Sequence, residues 1–221
     1  MPGDPIVKGI FVTGTDTEVG KTFFVCEYAR RLIQQGQRVG VYKPLASGYP
    51  REDHRSDASQ LHRSLGEQSA NIALERINPQ CFLAPLAPPL AARSEGKQID
   101  ENLLVQGVEA WRNYCELLLV EGAGGLLSPI TWTMTNADLA TKLGYPLLVV
   151  AENRLGCVHQ ILSTVQVAIG LGLGVQAVVL NQVRPRVDSA QAQNRELLEP
   201  FLERIDPKIA IWEQPYVPKV A

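Results

Sequence analysis

Short runs of apolar residues alternate with helical segments along this chain, and this alternation restricts the fold more than any other feature of the sequence. Residues 117–120 and 147–151 are entirely apolar, which is typical of strands buried on both faces. Residues 21–35 have helical periodicity instead, with apolar side chains on one face. Buried strands separated by helices predict an α/β fold, a mostly parallel sheet with helices on both faces.

The predicted elements follow one another without a linker or a change in composition, so we expect a single domain over residues 1–221. Four prolines exclude a long regular element between residues 71 and 89, and residues 46–56 are expected to form a loop. The pattern predicts strands at 10–12, 38–43, 117–120, 147–151, 176–180 and 208–212, and helices at 21–35, 57–65, 100–115, 135–143, 157–171 and 188–205.

Charge and cysteine content exclude several classes of function. The 221 residues carry a net charge of −2, so non-specific attraction to nucleic acid or to an anionic membrane is weak. No signal peptide or membrane span is recognised, and we expect a soluble cytoplasmic protein. The four cysteines form no CxxC pair and are expected to be buried thiols in a reducing compartment.

The first predicted strand ends in the sequence GTDTEVGKT, residues 14–22, and a helix follows. Glycines let backbone N–H groups curve around an anion, and the start of a helix adds partial positive charge. Lys21 would reach the β- and γ-phosphates of a nucleotide, and the Thr22 hydroxyl would hold Mg²⁺. Five residues separate Gly14 from Gly20, where the common phosphate-binding loop has four.

Polar residues at other strand ends are candidates for the same site, because ligands of a parallel sheet bind beyond the carboxyl ends of its strands. Glu121 follows an apolar strand and precedes a glycine-rich segment, which favours a role beside Mg²⁺. Lys43 is either a ligand-facing cation or an ordinary strand-end lysine. Asp57 alone indicates only a favourable helix start, and Asn181 alone is ambiguous between structure and base recognition.

The three histidines have no metal-ligand spacing, and no Ser-His-Asp or Cys-His arrangement is present. From the residues alone, the chain is therefore a Mg²⁺-nucleotide phosphoryl-transfer protein whose acceptor is not identified.

Five motifs, in order along nearly the whole chain, resemble the dethiobiotin synthetase family, which belongs to the P-loop NTPase superfamily. They are VTGTDTEVGKT (12–22), YKPLASG (42–48), SDA (56–58), LLLVEGAGG (117–125) and RLGCVHQ (154–160). The long GTDTEVGKT loop is the most specific of them.

The resemblance implies a ligase of biotin biosynthesis. Members of the family convert 7,8-diaminononanoate and CO2 (supplied as bicarbonate) to a carbamate, phosphorylate it with MgATP, and close a ureido ring to give dethiobiotin, ADP and phosphate. By the same resemblance, Lys43 and Lys21 are the catalytic cations, and Thr22, Asp57 and Glu121 hold Mg²⁺.

The resemblance also implies the binding residues. Those for the nucleotide are Thr17, Glu18, Val19, Gly20, Lys21, Thr22, Phe23, Asp57, Glu121, Gly122, Ala123, Gly124, Asn181, Gln182, Pro215, Tyr216 and Val217. Those for the diamino acid are Ser47 and, from the second subunit of a homodimer, Gly156, Cys157 and Val158. His159 stands where a familiar member has Asn.

Two other functions compete with this one. A cobyrinate-type amide synthetase would need a downstream glutaminase domain, which we do not expect after Glu199. A partition-type ATPase switch commonly has an additional lysine early in the phosphate loop, and positions 15–19 contain none.

Overall fold

The computed structural model describes residues 7–185 and 189–218. Its eight strands are β1 (Gly9–Gly14), β2 (Val39–Tyr42), β3 (Leu45–Ser47), β4 (Gln80–Phe82), β5 (Leu117–Gly125), β6 (Leu147–Glu152), β7 (Val175–Asn181) and β8 (Ala210–Gln214). Its eight α-helices are α1 (Lys21–Gln34), α2 (Asp57–Ser64), α3 (Leu74–Ile77), α4 (Pro88–Ser94), α5 (Glu101–Gln106), α6 (Asn136–Leu143), α7 (Cys157–Gly170) and α8 (Ser189–Ile205). Short 3₁₀ helices cover Gly66–Ser69 and Gly107–Trp111.

Six strands form one parallel sheet in the order β2-β5-β1-β6-β7-β8, which confirms the predicted fold class. Strand β1 lies inside the sheet, with Phe11 opposite Val120 of β5 and Leu147 of β6. Every residue of β1 is buried, as its apolar sequence requires. The loop after β1 is thus flanked by the carboxyl ends of β5 and β6, where a ligand of a parallel sheet is expected.

A small second sheet occupies the region where the sequence predicted a loop and no long regular element. Strands β3 and β4 pair in parallel over three residues each, with Leu45 opposite Gln80. Strands this short carry no readable periodicity, which is why the prediction for residues 46–56 was wrong at its start. The prolines do not interrupt them, because Pro79 precedes β4 and Pro88 begins α4.

The helix predicted over residues 100–115 is also wrong in its second half, because α5 ends at Gln106 and a 3₁₀ helix follows. A Cβ atom on Gly107 would lie 2.1 Å from the Tyr42 hydroxyl. That hydroxyl donates a hydrogen bond to Leu103 O at 3.0 Å. The buried tyrosine thus packs directly against the turn where the α-helix stops.

Smaller differences concern strand lengths and one cysteine. Strand β5 continues to Gly125, and β8 begins at Ala210. The predicted start of the last helix at residue 188 lies outside the described residues. All four cysteines are free, but Cys81 is only half-buried, whereas Cys26, Cys115 and Cys157 are buried as predicted. Within the described ranges, no helix is long and apolar enough to cross a membrane.

Candidate active site

The loop between β1 and α1 has the backbone of an anion cradle. Two residues of this loop, Glu18 and Gly20, have positive φ angles, 57° and 83°. Glycine adopts such an angle without strain. A Cβ atom at Gly20 would lie 2.3 Å from Asn181 Nδ2, and that nitrogen donates to Val19 O at 2.8 Å. Helix α1 begins at Lys21 with no side-chain cap and no acidic residue in its first turn. Its N–H groups and dipole are therefore available to an anion.

Four side chains from different parts of the chain converge beside this loop. The Lys43 ammonium lies 2.7 Å from Glu121 Oε1 and 2.8 Å from Asp57 Oδ2. The Thr22 hydroxyl lies 2.8 Å from Glu121 Oε1 and 2.9 Å from Asp57 Oδ1, and its single proton can bond only one of the two at a time. Lys43 also donates to Gly122 O at 3.3 Å. Thr22, Lys43, Asp57 and Glu121, which we call the strand-end cluster, thus share one hydrogen-bond network.

Burial and pairing set the charges of the strand-end cluster. Glu121 is 1% exposed, and this burial raises the pKa of its carboxyl group although Lys43 opposes the shift. Burial also acts to raise the pKa of Asp57, but Lys43 and Thr22 outweigh it, so the pKa of Asp57 is lowered. Burial acts to lower the pKa of Lys43, and the two carboxylates reverse that effect and raise it. The lysine is therefore a cation held between two carboxylates.

Lys21, the second lysine of this site, differs from Lys43 in its pKa and in its hydrogen-bond partners. Burial, followed by the neighbouring charge of Lys43, lowers the pKa of Lys21 to about 8. Its ammonium donates to Asp16 O at 2.8 Å, within the loop itself. Lys21 has no carboxylate within ion-pair distance among the described residues. Its charge is therefore available to an incoming anion.

The donor set of the strand-end cluster fits Mg²⁺. Two carboxylates and a hydroxyl supply the oxygen ligands that this ion takes in nucleotide sites. Glu121 Oε2 is buried without a hydrogen-bond partner, so one ligand atom is open to a cation. In the described part of the chain, no group of three or more His, Cys, Asp or Glu side chains could hold a metal. Phosphate and water oxygens would have to complete the coordination.

One open cavity of about 1030 Å³ joins the loop, the strand-end cluster and the C-terminal segment. Thirteen of the residues predicted for the site contribute to its wall, and ten of these are Thr17, Glu18, Gly20, Lys21, Thr22, Phe23, Asp57, Glu121, Ala123 and Gly124. Lys43, Ser47 and Val217 line it as well, and the Ser47 hydroxyl donates to Leu86 O at 2.7 Å.

Other predicted residues do not line this cavity. Four of them are buried: Val19, Gly122, Asn181 and Gln182. The main-chain carbonyl of Val19 accepts a hydrogen bond from Asn181, and that of Gly122 accepts one from Lys43. Pro215 and Tyr216 are exposed beside the cavity wall. Asn181 Oδ1 is buried without a hydrogen-bond partner, which leaves an acceptor for a ligand at the end of β7.

The start of α7 is also separate from the cavity. Gly156, with φ 90°, precedes Cys157, whose side chain is fully buried and whose N–H donates to Arg154 O. Neither these two residues nor Val158 lines the cavity of the same chain. The structure therefore does not bring the predicted substrate-binding helix start together with Ser47 within one copy.

Sequence reasoning missed two buried asparagines that hold the main chain of this site, Asn78 and Asn136. Asn78 lies just before β4 in the segment that showed no periodicity. Asn136 follows Thr135, the N-cap of α6, and nothing in the local pattern separates it from an ordinary first-turn residue.

Comparison with known proteins gives a consistent family. Residues 8–206 match a family model described as an AAA domain. The chain is similar to ATP-dependent dethiobiotin synthetases of Phenylobacterium zucineum (42% identity, 78% of this chain and 75% of that protein) and of Rhodopirellula baltica (38%, 95% and 86%). It is similar at 38% identity to the enzyme of Anaeromyxobacter dehalogenans, over 94% of this chain and 91% of that protein.

A solved structure supports the fold alone. The hydrogenase maturation factor HypB from Archaeoglobus fulgidus superposes with a TM-score of 0.56 at 16% identity, covering 95% of this chain and 82% of that one. The sequence relatives share far more residues over most of the chain. On that similarity, this chain belongs to the ATP-dependent dethiobiotin synthetase family.

Proposed function

We propose that this protein catalyses the ATP-dependent formation of dethiobiotin from 7,8-diaminononanoate and CO2, a C–N ligase reaction of biotin biosynthesis in the cytoplasm. One observation carries the proposal. The strand-end cluster and the phosphate loop open into one cavity that also contains Ser47. That arrangement can hold a nucleoside triphosphate and a second small substrate together.

The reaction makes a clear electrostatic demand. An amine of the substrate attacks CO2, loses a proton and becomes a carbamate anion. A carbamate oxygen then attacks the γ-phosphorus, and the bond to the bridging oxygen of ADP breaks. The second amine attacks the carbamoyl carbon and expels phosphate, which closes the ureido ring. Because an anion must approach a polyanion, cations at the meeting point lower the barrier.

Lys21 and Lys43 are the cations suited to that task. Lys21 lies at the start of α1, where a bound triphosphate would replace Asp16 O as its partner. Lys43 is buried, and its ammonium is fixed by Asp57, Glu121 and Gly122 O. We assign Lys43 to neutralise the carbamate as it approaches the γ-phosphate. Because the ammonium group is already in position, it does not have to reorganise as charge develops during the reaction.

Mg²⁺ would be held by Thr22, Asp57 and Glu121, whose oxygens fit the ion as described above. When bound with ATP, it would neutralise charge on the phosphate oxygens. The carboxylates would then serve two cations, because each also faces Lys43.

The base of ATP would bind at the end of β7, beside the cavity wall. The unpartnered Oδ1 of Asn181 suits the amino group of adenine. Gln182 and residues 215–217 adjoin it, since Gln182 N donates to Gln214 O at 2.9 Å. We propose that this segment contacts the base.

The carboxylate of the diamino acid needs a second copy of the chain. The start of α7 lies outside the cavity of its own copy and offers a helix N-terminus without a side-chain cap. We propose a homodimer in which Gly156, Cys157 and Val158 of one copy complete the site around Ser47 of the other. Residues 1–221 would then form one nucleotide-binding domain with the substrate site at the dimer interface.

Labelled bicarbonate tests the reaction directly. Purified protein is incubated with diaminononanoate, MgATP and carbon-13 bicarbonate, and the products are analysed by mass spectrometry. We expect dethiobiotin heavier by one mass unit, together with ADP and phosphate. Hydrolysis of ATP without any labelled organic product would contradict the proposal and favour an ATPase switch.

A further inference from the structure

Asn136, the first residue of α6, is fully buried against the end of strand β5. Its Oδ1 accepts a hydrogen bond from Ala123 N at 3.1 Å, and its Nδ2 donates to Ala123 O at 2.7 Å and to Gly125 O at 2.8 Å. One amide group therefore satisfies three main-chain groups of a single segment. These bonds fix a segment in which Ala123 and Gly124 line the cavity, which Asn136 itself does not line.

The segment held by Asn136 begins two residues after Glu121. Gly122 lies between them and contributes the carbonyl that accepts from Lys43. A Cβ atom at Gly122 would lie 2.7 Å from Asn136 Oδ1 and 3.0 Å from the Phe11 ring. Glycine at this position is what lets the amide and the strand approach so closely.

Asn136 itself is rigidly mounted. Thr135 and Asp138 form a reciprocal capping box at the start of α6. Asn136 N donates to Ser128 O at 3.2 Å, and Ala137 N donates to Leu126 O at 2.9 Å. The helix start is thereby tied to the turn that follows β5, and the amide has a fixed base from which to hold the strand.

Lys43, the partner of Glu121, is held in the same way. Asn78 is fully buried, and its Nδ2 donates to Lys43 O at 2.8 Å and to Gln80 O at 3.1 Å. Lys43 N donates to Ile77 O at 2.7 Å. Asn78 thus bonds the main chain of Lys43 itself, and Asn136 bonds the segment that begins two residues after Glu121.

We propose that Asn136 is a positioning residue for the phosphoryl transfer, and that Asn78 has the same role toward Lys43. This inference rests on the proposed function. A displacement of about 1 Å at a reacting group costs roughly a hundredfold in rate. The two amides hold the segments that carry Glu121 and Lys43, so their loss relaxes the geometry of the pair without removing either charge.

The test compares Asn136→Ala with Gln68→Ala as the matched control. Gln68 makes a similar amide clamp at the opposite end of the sheet, accepting from Val39 N at 3.1 Å and donating to Gln37 O at 3.0 Å. Asn136→Ala should lower kcat by about tenfold to a hundredfold while KM for ATP stays within about threefold. Asn78→Ala should do the same. Gln68→Ala should lower the melting temperature but leave kcat within about twofold.

Asn136→Asp separates positioning from space-filling, because the shape is unchanged. The carboxylate keeps an acceptor for Ala123 N but cannot donate to the two carbonyls. Surrounded by carbonyl oxygens, it gains a donor only when protonated. The kcat of this variant, divided by that of the parent, should therefore rise as pH falls from 8 to 6.

The outcomes are distinguishable. A parent protein that makes no dethiobiotin overturns the proposed function. An active parent with kcat of Asn136→Ala within twofold overturns the inference alone. Variants that no longer bind ADP assign Asn136 a merely structural role and also overturn it, as does a pH-independent ratio for Asn136→Asp.

Discussion

Helices α1 and α7 begin in the same way but in different surroundings. Each follows a glycine in the left-handed region, Gly20 with φ 83° and Gly156 with φ 90°. Neither has a side-chain cap or an acidic residue in its first turn. The start of α1 opens into the cavity beside the strand-end cluster, whereas the start of α7 adjoins Leu155, which is 79% exposed.

The different surroundings of the two helix starts indicate different roles. Both helix starts offer N–H groups and a favourable dipole to an anion. The start of α1 has Lys21, Lys43 and the carboxylates of the strand-end cluster around it, so we expect phosphoryl transfer there. The start of α7 adjoins the exposed Leu155 and Arg154, which is paired with Glu152. These surroundings suit recognition of a carboxylate across an interface. The comparison predicts that changes at α1 affect the chemistry and that changes at α7 affect the affinity for the diamino acid.

The largest effect is expected at Lys21. Of the two lysines that line the cavity, Lys21→Ala removes the one that has no ion pair with a carboxylate, so both ATP binding and turnover should suffer. We expect kcat/KM for ATP to fall by about a thousandfold. The fold should persist, because the side chain lines the cavity. Steady-state kinetics and circular dichroism check this, and near-normal turnover by a folded variant would refute the assignment.

Lys43→Gln should act mainly on the chemical step. We expect kcat to fall by a few-hundredfold while ADP affinity changes only a few fold, because the cation is used as the carbamate approaches. Lys43→Arg should also fail, since a planar fork does not replace a compact ammonium between the carboxylates of Asp57 and Glu121.

The Lys43 variants have a second expected property. Without Lys43, Asp57 and Glu121 face each other, so Lys43→Gln should melt at a lower temperature than the parent. MgADP should restore much of this loss. If kcat stays within a few fold of the parent, Lys43 is structural.

Removal of a carboxylate should weaken metal use by a smaller factor. Asp57→Asn and Glu121→Gln should each raise the Mg²⁺ concentration for half-maximal activity by about tenfold to a hundredfold. Mn²⁺ binding to the ADP complex, measured by electron paramagnetic resonance, should weaken in parallel. Unchanged Mn²⁺ affinity in both variants would remove these residues from the metal site.

The pH dependence of nucleotide binding should be about tenfold. Because the pKa of Lys21 is lowered to about 8, the free protein loses this charge as pH rises through 8. The Kd for ADP should therefore increase about tenfold between pH 8 and pH 9.5, with proton uptake on binding. Isothermal titration calorimetry measures both quantities. Lys21→Arg should abolish the dependence, and a flat profile in the parent would contradict the lowered pKa.

The smallest effect is expected at α7. Leu155→Glu places a negative charge at the helix start that we assign to the partner's substrate carboxylate. KM for diaminononanoate should rise several-fold while KM for ATP is unchanged. Leu171→Glu, at the exposed far end of the same helix, is the control. Equal behaviour of the two variants, or a fully active monomer in sedimentation, would break the comparison.

The parts of this molecule that have a local signal were predictable from sequence. Apolar runs predicted the parallel sheet, and helices were predicted to begin near Ser56 and Asp100, residue types that favour a helix N-cap. Their side chains accept from Ser59 N and Leu103 N. Asp57 alone indicated no function, and only the fold brings it to Lys43 and Glu121.

What the sequence did not predict depends on contacts between distant residues. Strands β3 and β4 are too short for a period, and their pairing joins residues about 35 positions apart. The end of α5 is set by Tyr42, more than sixty residues earlier. Asn136 has no pattern of its own, because its role lies in main-chain groups of another element.

The central claim is that the site cleaves ATP only to phosphorylate the carbamate of diaminononanoate. Measurement of phosphate release tests this claim most directly. Phosphate and dethiobiotin are measured together while diaminononanoate and bicarbonate are omitted in turn. The account predicts one phosphate per dethiobiotin with both present and almost none when either is missing. Equal phosphate release with and without diaminononanoate would contradict it.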